Sequence, residues 1–77
     1  MDDDSLSNRT PELLQHGSES EAVKALQTRL RALGFSPGEL DGIFGDNTRA
    51  AVIAFQRSRG LDDDGKVGRL TREALAS

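Results

Sequence analysis

One stretch of this sequence is written twice. Asp41, Gly42, Phe44, Gly45, Thr48, Arg49 and Ala51 recur at the same spacing as Asp64, Gly65, Val67, Gly68, Thr71, Arg72 and Ala74, 23 residues further along. A helix-like triplet precedes each copy, Val23, Leu26 and Gln27 and then Val52, Phe55 and Gln56, but these triplets are 29 residues apart. Unequal offsets exclude a solenoid, whose repeats stack at one fixed period. The pattern leaves two related loop-to-helix units that share one core.

That core must be small, because a chain of 77 residues buries only about 60% of its unfolded surface and has room for one domain. No cysteine is present to staple it, and His16, the lone histidine, cannot build a zinc site by itself. Packing has to hold it together. Residues 1–11 are mostly acidic and polar and read as a disordered head, with the domain proper over 12–77. Leu13 and Leu14 are the first apolar pair able to meet a core. Ser18 and Glu21 have the spacing of a capping box, and Val23, Leu26, Leu30 and Leu33 then form the inner stripe of an amphipathic helix. Gly34 and Phe35 suit its end. Pro37, Gly38, Gly42 and Gly45 mark a tight loop, tacked inward by Leu40, Ile43 and Phe44. Gly45 and Gly68 read as helix-entry glycines that permit close backbone approach. A second helix has Thr48, Ala51, Val52 and Phe55 on its inner side and ends at Gly60; a third, shorter one carries Thr71, Ala74 and Leu75. The expected fold is all-α, a small three-helix bundle with structured Asp-Gly loops.

Several chemistries are excluded. Asp2, Asp3 and Asp4 account for the whole formal charge of -3, so the rest of the chain has no basic field for nucleic acid. No apolar run is long enough to insert into a membrane. The Asp-Gly turns fail as calcium loops, because setting Gly42 or Gly65 at the sixth position puts Thr48 or Thr71 where the bidentate glutamate belongs. Asp41 and Asp64 are better read as acceptors for backbone N–H groups in their own turns. With one histidine no Ser-His-Asp arrangement forms, and so small a domain offers little cleft for a carboxylate pair. No catalytic residue, metal or cofactor is expected. For Gln27 and Gln56, at the border of the core, two readings compete. Their amides either satisfy loop backbone groups, the preferred reading, or face a groove and meet a sugar or peptide. Ile53, off the main stripe, is expected to remain partly exposed.

From Leu14 to Leu75 the chain resembles the type 1 peptidoglycan-binding modules of bacterial and phage cell-wall hydrolases. The resemblance is carried by Leu14 and Gly17, then Val23, Leu26, Gln27 and Leu30, then Asp41, Gly42, Phe44, Gly45 and Thr48. Ala51, Val52, Phe55 and Gln56, and finally Gly60, Asp64, Gly65, Gly68, Thr71 and Leu75, complete it. Arg72 stands where members often carry an aromatic residue. The resemblance implies a non-catalytic module that anchors an attached hydrolase or partner to peptidoglycan, in the cell wall or periplasm or in a phage lysin. A monomer is expected. The chain has neither Trp nor Tyr, so hydrogen bonding and charge toward the peptide stem are expected alongside glycan contacts. The candidate surface is the groove between the 36–47 loop and the adjoining helix faces, with Gln27, Asp41, Asp46, Asn47, Arg49 and Gln56 as ligand-binding residues. The start of the second helix, with its unpaired N–H groups, suits a stem carboxylate. The alternatives are a protein-protein interaction module or a pro-domain-like module; the inhibitory pro-domain form needs a cysteine that is absent.

Overall fold

The structure is a computed structural model and describes residues 13–76. The expected acidic head, residues 1–11, lies outside them. Three helices follow in order, α1 (Glu21–Ala32), α2 (Asp46–Ser58) and α3 (Arg69–Ala76). None of them is long and apolar enough to cross a membrane.

Helix α1 starts later than its sequence suggests. Its N-cap is Ser20, whose hydroxyl accepts the Val23 N–H at 3.3 Å, while the Ser18 hydroxyl accepts the N–H of Gln15 at 3.1 Å. The Ser18 capping box does not form, because the Ser18 backbone is already paired: its carbonyl accepts the Phe44 N–H at 2.8 Å. Both long helices end alike. Gly34 and Gly60 adopt φ +95° and +72°, and the residue after each donates back into the last turn, Phe35 to Leu30 and Leu61 to Gln56, both at 2.9 Å. This double closure satisfies carbonyls that a helix end otherwise exposes.

The segment before α1 ties the two loops together. Leu14 exchanges backbone hydrogen bonds with Val67 at 3.2 and 2.7 Å, and Glu19 pairs with Ile43. Side chains alternate across such extended pairs, so one neighbour faces in and the next faces out. Leu14, Phe44 and Val67 are therefore buried, while Leu13 and Ile43 are exposed. The inward placement expected of Ile43 is wrong for that reason. Val23, Leu26 and Leu30 from α1, Val52 and Phe55 from α2, and Leu75 from α3 complete one core. Phe35 meets Phe55 edge to face at a centroid distance of 5.7 Å, and the Arg59 guanidinium covers the same ring at 5.0 Å. Arg29 reaches from α1 to donate to the Leu75 carbonyl at 2.6 Å, which holds the end of α3.

Candidate functional site

Each loop is built around one buried glutamine amide. In the first, Gln27 Nε2 donates to the Ile43 carbonyl at 2.9 Å, to Thr48 Oγ1 at 3.0 Å and to Asp41 Oδ1 at 3.2 Å, and its Oε1 accepts the Gly42 N–H at 2.9 Å. Asp41 Oδ1 also accepts the Ile43 N–H at 2.9 Å, and Thr48 donates to the Pro37 carbonyl at 3.0 Å. In the second, Gln56 Nε2 donates to the Lys66 carbonyl at 2.8 Å, to Thr71 Oγ1 at 3.1 Å and to Asp64 Oδ1 at 3.2 Å, and its Oε1 accepts the Gly65 N–H at 3.0 Å. Asp64 Oδ1 closes its turn on the Lys66 N–H at 2.9 Å. The Ile43 N–H and then the Gln27 amide hold the Asp41 carboxyl below its ordinary pKa, since both stabilise the charged form.

The amides are used because a buried backbone N–H without a partner is costly, and a side-chain amide supplies donors and an acceptor at once. Gln27 and Gln56 are 0% and 1% exposed, with both amide atoms engaged. Their place as ligand contacts is therefore corrected: burial and hydrogen bonding commit them to the loops, and of the two readings of these amides the geometry fits the first.

The close-packed glycines are also different ones. A Cβ on Gly45 would meet nothing within 4 Å, and one on Gly68 only Leu13 at 3.9 Å. Gly42 and Gly65 adopt φ +78° and +76°, and a Cβ there would lie 3.0 Å from the Ser20 carbonyl oxygen and 3.1 Å from Arg49 Cγ. Ile53 is half-buried under Gly65 by the same approach.

Above the first amide lies an open depression of about 440 Å³, lined by Gly38, Glu39, Asp41, Ile43, Asp46 and Asn47 among others. Here the structure brings together three of the six expected residues: Asp41, Asp46 and Asn47. Asn47 packs under Gly38, and Asp46 accepts from or pairs with His16 Nε2 at 3.0 Å on the exposed surface. Arg49 is elsewhere. Its side chain lies against Gly65 of the second loop, so it does not line this depression. Glu39, Ile43 and His16 are near the expected site and were not named for it; the period-two alternation around Phe44 is the signal that would have turned Ile43 outward. Helix α2 opens here with Gly45 as N-cap and no side chain capping it, leaving its leading N–H groups to the depression and solvent.

The family model described as "Putative peptidoglycan binding domain" matches residues 19–75. The chain belongs to that family. Among curated relatives, a spore cortex-lytic enzyme of Oceanobacillus iheyensis is 41% identical over 64 residues, covering 83% of this chain and 23% of that protein. An N-acetylmuramoyl-L-alanine amidase of Bacillus licheniformis is 41% identical over 73 residues, 92% of this chain and 20% of the amidase. The chain thus spans about a quarter or less of these relatives. Among solved structures, the SleB N-terminal domain superposes with a TM-score of 0.82 at 40% identity, covering 84% of this chain and 89% of that one.

Proposed function

We propose that this domain binds peptidoglycan without cleaving it and holds an attached cell-wall hydrolase against the wall, outside the cytoplasmic membrane. Family membership over residues 19–75 carries this reading, and the cell-wall-lytic relatives support it. The contact surface is the first depression, with Asp41, Asp46 and Asn47 joined by Glu39 and Ile43. Three carboxylates around one concavity suit the amines and hydroxyls of a muropeptide better than its carboxylates, even at an uncapped helix start. Ile43, 49% exposed, offers an apolar contact beside them.

The chain should co-sediment with purified sacculi and release neither reducing ends nor free amines. Retention should persist in moderate salt, because a chain whose net charge resides in three N-terminal aspartates has no polycationic attraction to lose. A folded chain that stays in the supernatant with sacculi of several chemotypes would instead support a protein-interaction module.

A further inference from the structure

Among the described residues, three large hydrophobic side chains remain exposed: Leu13 (47%), Ile43 (49%) and Leu70 (61%). Ile43 borders the first depression. Leu13 and Leu70 border another, of about 260 Å³, between the second loop and the start of α3. This second depression is the internal copy of the first. Moving 23 residues along the chain carries Glu39, Asp41, Ile43, Asp46, Asn47 and Thr48 onto Asp62, Asp64, Lys66, Arg69, Leu70 and Thr71, all of which line it. The same amide cage lies beneath, so the same rigid support exists for both.

The rims differ in charge. Where the first depression has Ile43, Asp46 and Asn47, the second has Lys66, Arg69 and Leu70. Two cations therefore replace a neutral and an acidic residue. Asp62 and Asp64 remain, Asp64 Oδ1 held by the Lys66 N–H and the Gln56 amide as Asp41 Oδ1 is held in the first loop, so it is the two added cations that set the second rim apart. Arg69 pairs with Glu73 at 3.1 Å across an exposed helix turn, a contact weak enough to exchange for a better-placed carboxylate. Leu13 covers Gly68, which the first depression has no counterpart for at Gly45.

We infer that the second depression is a second ligand site, one that takes the carboxylate terminus of a peptide ending in a small apolar residue. Lys66 and Arg69 meet the carboxylate, and Leu13 and Leu70 receive the alkyl group. The inference rests on the peptidoglycan reading, which supplies such a terminus in the stem peptide. The two depressions then engage opposite charges of one polymer.

The test is a titration of the uniformly ¹⁵N-labelled chain with a synthetic stem tetrapeptide bearing a free C-terminal carboxylate, and with the same peptide amidated. Amide resonances of residues 61–71 should move with the acid, and affinity should fall about tenfold for the amide, the loss of one charge-assisted contact. Lys66→Gln with Arg69→Gln should abolish those shifts while the chain stays folded and part of its sacculus binding persists. Equal response to acid and amide, shifts confined to 37–48, or no shift in a chain that still sediments with sacculi would overturn the second site alone. Failure of the wild-type chain to sediment would overturn the function it rests on.

Discussion

In the first loop Gln27 gathers Gly42, Asp41, Ile43 and Thr48; in the second Gln56 gathers Gly65, Asp64, Lys66 and Thr71, and each corresponding hydrogen bond agrees to about 0.1 Å. A few ångströms further out the two units part, with Asp46 and Asn47 on one rim and Arg69 and Leu70 on the other. A buried polar group tolerates no change that leaves it unpaired, whereas an exposed side chain changes charge at little cost to stability. The duplicated interior therefore acts as a scaffold on which two surfaces differ.

The largest effects should come from breaking either cage. Gln27→Leu or Gln56→Leu leaves a buried glycine N–H and a loop carbonyl without their amide partner, at a cost of about 3 kcal/mol each, a large share of what a domain of this size possesses. Urea unfolding of the two variants checks it, and similar losses are expected from both. Next come the glycines, where the loops separate slightly. Gly42→Ala meets an immovable backbone oxygen and should cost about 2 kcal/mol, while Gly65→Ala meets the flexible Arg49 side chain and should cost closer to 1 kcal/mol. Thermal melts that rank them in reverse would contradict this packing.

A smaller contrast concerns the helix starts. Ser20→Ala removes the cap of α1 and should cost about 1 kcal/mol, whereas Gly45→Ser at the uncapped start of α2 should gain a few tenths of a kcal/mol if its backbone stays put. Smallest is the acid response. Because the Asp41 pKa is depressed in the folded chain, its contribution is complete above the ordinary value of 3.8 and is lost as pH falls through the lower native value. Asp41→Asn should therefore lower stability slightly near neutrality and flatten the acid side of the profile, read as urea midpoints, so that variant and wild type converge as pH falls. Asp63, held low by Arg57, should leave a residual slope.

Helical periodicity made the three helices and most of the core legible. Val23, Leu26, Leu30, Val52 and Phe55 are spaced by the helix itself, a local rule. What depended on pairing across the chain was harder to read. Ser20 rather than Ser18 caps α1 because Phe44, far away in sequence, occupies the Ser18 carbonyl. Ile43 faces out because two short extended segments meet only in three dimensions. Gly42 and Gly65, not Gly45 and Gly68, are tight positions because the Ser20 carbonyl and the Arg49 side chain approach them from elsewhere in the chain. The site was half legible for the same reason: Asp41, Asp46 and Asn47 lie within one loop-to-helix unit, whereas Arg49 turns to the other loop and the two glutamines turn inward.

The central claim is that the cages fold the chain and the rims bind the wall. It is tested by measuring sacculus-bound fraction and melting temperature together for the wild type, Asp46→Lys with Asn47→Ala, Lys66→Gln with Arg69→Gln, and all four substitutions combined. Near-constant melting temperatures are expected, with binding reduced by each pair and nearly lost in the combination. Full binding by the stable fourfold variant, with both rims altered, would contradict the account.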